Sequence, residues 1–196
     1  MHEEKFWKLI TSLSAILLTT AIWGTLRYQW QPVVFTNSDF EAGDLRNWTA
    51  EGQVFLHQPI RGDKPAERKR GFSAHVGKYW IGTFEAPDPQ KALPNQTFGD
   101  LPTGRLVSTT FRIARDKINF LIGAGNGTRE TSVSLLVDNR PVLVEVGRGY
   151  QTDSEKMSRV VWDVSPWIGQ SAQIEITDLA TGKWGHINAD DFRYGG

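Results

Sequence analysis

The stretch TSVSLLVDNRPVLVEV, residues 131–146, decides the fold. Val133, Leu135 and Val137 alternate with Ser132, Ser134 and Leu136, and Val142, Val144 and Val146 resume the period of two. Successive strand side chains point to opposite faces, so this pattern predicts two strands, each with one buried face. Asp138-Asn139-Arg140-Pro141 between them predicts a hairpin turn. The same test gives strands over 160–164 (VVWDV) and 173–177 (QIEIT), with buried-strand candidates over 118–122, 105–113 and 79–84. No stretch after Arg27 keeps a helical period for a useful length. Ser165-Pro166-Trp167-Ile168 predicts a single helical turn, with Ser165 as cap and Pro166 at the first position. Many short strands punctuated by Gly, Pro and Asn predict an all-β sandwich or barrel.

Composition narrows the function. The 196 residues carry 22 Lys plus Arg against 22 Asp plus Glu, and no cysteine. Balanced charge argues against bulk nucleic-acid binding, which draws on an excess of cations to replace phosphate counterions. Without cysteine there are no disulfides, thiolate zinc sites, cysteine nucleophiles or iron–sulfur ligands.

The first thirty residues read differently from the rest. Between Lys8 and Arg27 lies LITSLSAILLTTAIWGTL, without a charge. As a helix it would extend roughly 27 Å, close to the ~30 Å of bilayer hydrocarbon. Lys8 and Arg27 can snorkel at its ends, and Trp7, Trp23, Tyr28 and Trp30 fit the interfacial aromatic belts. Residues 1–30 are therefore expected to form a cytoplasmic stub and transmembrane anchor, and 31–196 an extracytoplasmic domain. Lys5, Lys8 and the terminal amine outweigh Arg27 on the other flank, which places the N-terminus in the cytoplasm and the domain in the periplasm. A signal peptide cleaved at Thr19-Thr20-Ala21 is the competing reading. Thr11, Ala15 and Thr19 recur every four residues, a small-residue stripe suited to close helix packing.

Catalytic patterns were sought in the remainder. There is no Gly-x-Ser-x-Gly elbow, no His-Glu-x-x-His, and His2, His57, His75 and His186 are scattered. His186, within Trp184-Gly185-His186, is expected to be a buried histidine bridging backbone groups. Adjacent Asp190 and Asp191 point to opposite strand faces, so they cannot form the paired carboxylates of glycoside hydrolysis. Gly123 to Thr128 imitates a dinucleotide loop, but a strand follows where a helix is required. Asn47, Asn95 and Asn126 begin glycosylation sequons, relevant only in a eukaryotic secretory pathway. Arg61, Lys64, Arg68, Lys69 and Arg70 form a basic loop that could meet an acidic partner or anionic lipid. Of the domain's tryptophans, Trp48, Trp80, Trp162, Trp167 and Trp184, most are expected as core or semi-buried packing, with room for one or two exposed.

A family resemblance emerges from several segments in order. Phe40-Glu41-Ala42-Gly43-Asp44-Leu45 with Asn47-Trp48 opens the series. Tyr79 to Glu85, Phe120 to Gly123, Leu136 to Asp138, Trp162 to Ser165, Trp184 to Asn188 and Asp190-Asp191-Phe192 continue it. Together they resemble galactose-binding-like, carbohydrate-binding-module-like jelly rolls, similar to those accompanying levanase-type family 32 glycoside hydrolases. The resemblance spans roughly Ser38 to Tyr194. It implies a jelly-roll β-sandwich with a non-catalytic accessory role, and transfers no ligand. It also implies a structural Ca²⁺ between the two ends of the domain. Asp39, Glu41, Asp190 and Asp191 offer the hard oxygen ligands that calcium takes.

The sequence is thus expected to encode a non-enzymatic, single-span subunit of a membrane protein complex, photosynthetic and respiratory assemblies being plausible hosts. Its partners would be lipid and neighbouring subunits. The alternative is a membrane-tethered carbohydrate-binding protein, which requires exposed, coplanar aromatic rings.

Overall fold

A computed structural model describes residues 31–63, 71–85 and 99–196. Its one substantially described unit runs from Val33 to Gly196. The anchor expected over residues 1–30 lies outside the described residues. Among the described residues no helix is long and apolar enough to cross a membrane.

Eleven strands appear among the described residues: β1 (Trp48–Gly52), β2 (Ile60–Arg61), β3 (Tyr79–Gly82), β4 (Gly104–Ser108), β5 (Phe111–Arg112), β6 (Lys117–Ala124), β7 (Thr131–Val137), β8 (Arg140–Val146), β9 (Ser158–Asp163), β10 (Ser171–Asp178) and β11 (Ile187–Tyr194). One sheet runs β1-β4-β10-β7-β8, with β5 also on β10, and the other runs β2-β3-β11-β6-β9. Every pairing is antiparallel. The all-β sandwich expected from the alternation is the observed architecture.

The deciding hairpin forms with a tighter turn than the sequence suggests. Val137 pairs with Arg140, so only Asp138 and Asn139 lie outside the ladder. Both have left-handed backbones, φ 51° and 59°, as a two-residue type I′ hairpin turn requires. Arg140 and Pro141 therefore belong to β8. This is an edge strand, where proline's missing N–H costs no ladder bond, and a register shift accommodates it. The segment expected over 105–113 divides into β4 and β5. A 3₁₀ turn forms at Ser165–Trp167 with Pro166 inside it, but Ser165 does not cap it. Asp163 does the equivalent, accepting the Ser165 N–H at 2.9 Å. The short helix α1 (Gly149–Thr152) has no apolar period and was not expected.

The inward residues of both sheets form one core. Leu106, Val133, Leu135, Ile174 and Ile176 meet Ile118, Phe120, Ile122, Ile187, Ala189 and Phe192. Aromatic rings dominate one part of it. Phe192 stacks on Phe120 at 5.0 Å, and Trp48 lies against Phe40 at 5.1 Å and Phe192 at 6.0 Å. The Trp48 indole N–H donates to the Asn37 carbonyl, so its one polar atom is satisfied. Ser38 ties the opening segment to the closing strand, its hydroxyl donating to the Phe192 carbonyl at 2.7 Å. Trp48, Trp80, Trp162 and Trp184 are buried and Trp167 is half-buried, the core and semi-buried packing expected for most of them, and none of the five presents an exposed ring.

The two outer sheet faces differ. On the β2-β3-β11-β6-β9 sheet, Ile60, Trp80, Leu121 and Met157 form a second small core, with Val76 against it. The segments before β3 and before β9 lie over this face. Gly123 permits that approach, because a Cβ there would come within 2.9 Å of the Glu155 and Met157 backbone. The opposite sheet carries Ser132, Ser134, Glu175, Thr177 and Arg105 on its outer face, in a groove.

Truncating Phe192 to Ala should cost about 3–5 kcal/mol, the range for a large buried aromatic, when measured by urea denaturation. Phe72→Ala, at a side chain 70% exposed, should change stability by no more than about 0.5 kcal/mol.

Candidate functional site

Strand β11 organises the first candidate region. Ile187, Ala189 and Phe192 enter the core, while His186, Asn188 and Asp190 form a polar row on the other side and are fully buried. Burying polar groups is costly unless partners are supplied; the covering loops supply most of them, while Asn188 Oδ1 and Asp190 Oδ1 are buried without one. His186 Nδ1 lies 2.5 Å from Asp100 Oδ1, and its Nε2 lies 3.3 Å from both Glu155 carboxyl oxygens. Asn188 donates to the Glu155 carbonyl at 2.8 Å. Asp190 Oδ2 accepts the Val76 N–H at 2.8 Å. Trp184 stacks on the His186 imidazole at 5.4 Å, and Phe84 closes from another side at 5.0 Å. His186 is buried, as expected, but it bridges two carboxylates rather than backbone groups.

Electrostatics follow from this enclosure. Burial opposes the charge on His186, but the hydrogen bonds its ring donates to Asp100 and Glu155, with their negative charge, outweigh it and raise the imidazolium to about 8. Asp178, at the end of β10, is pushed up to about 7 by burial, against the pull of the Thr83 hydroxyl and His186. Asp190 is also raised by burial and by neighbouring Glu41, despite the Val76 N–H.

The four acids expected to ligate calcium separate into two pairs. Asp191, in the left-handed region at φ 57°, sits within a register shift of β11. It accepts from Arg159 at 2.8 Å and Arg193 at 2.5 Å, while Arg193 also holds Asp39 at 2.9 Å. Glu41 accepts the backbone N–H groups of Lys78 and Tyr79 at 2.8 and 3.0 Å. It therefore shares the 76–79 loop with Asp190, whose Oδ1 is buried without a hydrogen-bond partner. Among the described residues, no three His, Asp or Glu side chains gather as a metal centre.

The second region is the groove on the open sheet, a cavity of about 440 Å³. Register places Ser134 between Glu175 of β10 and Val144 of β8, and Thr177 between Arg105 of β4 and Ser132 of β7. Arg105 donates to Glu175 Oε1 at 3.1 Å, and the Thr177 hydroxyl donates to the same oxygen at 3.2 Å. Leu136, Pro141 and Val144 form an aliphatic flank; Arg129 and Glu130 stand at the opposite end. Its volume falls in the range typical of small-molecule sites.

Sequence reasoning did not select the groove residues, nor Asp100, Glu155 and Asp178. The serine alternation within 131–137 did carry a signal: small hydroxyl residues occupy the outer face where long charged chains are usual. The acids around His186 are brought together by long-range folding and share no local spacing. Of the expected partner-contact residues, Arg61 pairs with Tyr79 as part of β2. Lys64, Arg68, Lys69 and Arg70 lie outside the described residues. So do Thr11, Ala15 and Thr19, and the interfacial Trp7, Lys8, Trp23, Arg27, Tyr28 and Trp30.

Both raised groups around His186 destabilise the fold as they lose protons. His186 contributes stability that is fully present below its unfolded value of 6.5 and lost as pH rises through about 8. Asp178 has the same sign over a lower window, from 3.8 to about 7. Thermal melting should therefore show a loss on the order of 2 kcal/mol between pH 6.5 and 8.5. His186→Gln should flatten that window, and Asp178→Asn the lower one. Equal slopes in wild type and His186→Gln would reject this account.

Comparison with known proteins gives a relative and shape neighbours. No family model matches. Over 155 residues the chain is 34% identical to "Putative glycosyl hydrolase ecdE" of Aspergillus rugulosus, a match covering 78% of this chain. The chain spans 20% of that protein's length. A carbohydrate-binding module, CBM61, solved with β-1,4-galactotriose, is 13% identical with a TM-score of 0.49, covering 82% of this chain and 96% of the module. A cyclase from Fischerella sp. TAU is 15% identical with a TM-score of 0.47, covering 82% of this chain and 94% of the cyclase. The expectation of a non-enzymatic chain is corrected by the Aspergillus relative, whose name is that of a hydrolase. That expectation rested on the absence of local catalytic motifs. Local motifs say nothing of a protein of which this chain spans a fifth.

Proposed function

We propose that this β-sandwich is a carbohydrate-recognising domain acting in glycoside hydrolysis. The observation that carries the reading is the 34% identity to a named glycosyl hydrolase across 78% of the chain. Geometry supports it: the open sheet bears a groove of about 440 Å³ floored by hydroxyls and by one carboxylate–guanidinium pair. Such groups orient a hydroxyl-rich ligand, while the aliphatic flank accepts its C–H faces. This reading takes precedence over the membrane-complex subunit, whose supporting helix lies outside the described residues. The anchor and the extracytoplasmic placement remain proposals that are compatible with it.

Affinity electrophoresis of the full chain through gels containing neutral and acidic polysaccharides tests the function. Retardation by at least one polysaccharide is expected, and free migration through all of them overturns the reading. Assaying the same mixtures for released reducing ends shows whether the chain also cleaves what it binds.

Calcium belongs to the same proposal, with a smaller ligand set than the sequence suggested. Asp39 and Asp191 are held by arginines, whose positive charge repels a second cation. Glu41 and Asp190 fit better: both face the 76–79 loop, and Asp190 Oδ1 is buried without a partner. A hard cation there would meet carboxylate oxygens, the ligand type that calcium takes. Bound calcium would tie the opening segment to the closing strand. Removing it with a chelator should lower the melting temperature of wild type but not of Asp190→Asn. An unchanged wild-type melting curve rejects the site.

A further inference from the structure

The groove's composition says more than that it can take a sugar. None of its lining residues is aromatic, so a ligand gains no stacking energy there, and the buried tryptophans cannot supply any. The lining charges balance: Arg105 is paired with Glu175, and Arg129 stands beside Glu130. A polyanionic chain would meet two carboxylates, so the electrostatics favour an uncharged ligand. Among the described residues the Ser134 hydroxyl has no hydrogen-bond partner, although Ser134 is only 5% exposed and lies on the groove floor. Glu175 uses one oxygen for Arg105 and Thr177, leaving the other to accept from a ligand hydroxyl.

Dimensions set the length of what fits. The lining crosses four adjacent strands, β4, β10, β7 and β8, and runs along β7 from Ser132 to Leu136. Three strand spacings, and four residue rises, are each about 14 Å. A sugar ring advances a chain by about one strand spacing, so this footprint accommodates about three rings.

Resting on the carbohydrate reading above, we propose that the groove seats about three consecutive residues of a neutral, linear glycan. It holds them through Ser134, Glu175 and Arg105 and through aliphatic contact with Val144, without ring stacking. Two features of the fold make the seat. Strand alternation sends the serines and Glu175 outward while Val133, Leu135 and Ile174 enter the core. The opposite sheet, closed by its own loops, offers no comparable face among the described residues.

The test is calorimetric titration of the full chain with oligosaccharide ladders of one to six residues. The neutral ladders are malto-, cello-, β-1,4-galacto- and fructo-oligosaccharides, and oligogalacturonates are the charged counterpart. Affinity for at least one neutral ladder should climb to about three residues and then level off. Ser134→Trp, which fills the groove, should weaken the trisaccharide by about tenfold or more. Glu175→Gln keeps the shape, removes a charged acceptor, and should also cost about tenfold. If Ser134→Trp shifts the denaturation midpoint, Glu175→Gln carries the test alone. Equal affinity for mono- and trisaccharide, or a preference for oligogalacturonate, overturns the inference. Full-strength binding by the groove variants also overturns it, while leaving the carbohydrate function standing. Absence of binding to every glycan removes the function itself, and the groove with it.

Discussion

The structure depends on satisfying the polar row His186, Asn188 and Asp190 along β11. These side chains occupy the outer face of a sheet, where water would normally solvate them, yet they are fully buried. A buried polar group without a partner costs on the order of 1–3 kcal/mol, so the row is stable only with the covering segments in place. Asp100, Glu155 and the Val76 N–H come from three separate stretches, and each is bound to one member of the row or two. The row thereby fixes loops that carry almost no regular secondary structure. Ile60, Trp80, Leu121 and Met157 add apolar burial to the same layer, but apolar contact alone would not specify which loop lies where. Direction comes from the hydrogen bonds.

Closing one outer face has a consequence for the other. A sandwich has two outer faces, and ligand recognition needs one of them, an edge or a loop cluster. Here one face is occupied by the chain itself. The other is left with short hydroxyl side chains, whose small size keeps the groove open. Long charged side chains at positions 132 and 134 would fill it. The paired Arg105 and Glu175 similarly avoid leaving a strong uncompensated field on the floor. The difference between the sheets, one covered by its own loops and one left open, thus follows from which residues alternate outward on β11 and on β7.

Much of the fold was legible in the sequence, because the period of two is a local property. The 131–146 hairpin, β6, β9 and β10 all lie where alternation or an apolar run placed them. The turn residues also told their part: two consecutive left-handed positions suit Asp-Asn. The miss at Ser165 has a local cause, since Asp163 lies two residues upstream and its carboxylate accepts the backbone N–H more strongly than a hydroxyl does. That none of the sandwich tryptophans is exposed was less legible. Composition shows that rings are numerous, but the number of rings a core can absorb depends on how two sheets face each other.

The candidate sites were the least legible part, for two different reasons. Around His186 the partners are 86 and 31 residues away in sequence, and no spacing rule connects them. For the acids at the chain's two ends, the sequence correctly supplied carboxylates but could not show which cations they already hold. Arg193 lies two residues from Asp191, close enough to be noticed, yet its second contact with Asp39 needs the first and last segments of the domain brought side by side. That bridge already performs the end-to-end fastening for which a metal ion was invoked. Glu41 and Asp190 differ in taking their hydrogen bonds from backbone N–H groups, and one Asp190 oxygen is buried without a hydrogen-bond partner. Carboxylates satisfied by guanidinium stabilise the closed domain whether or not an ion is present, whereas the Asp190 oxygen leaves a deficit. The domain therefore has one junction held by charge pairs and a second, a loop away, held by backbone N–H groups, with one Asp190 oxygen buried without a hydrogen-bond partner.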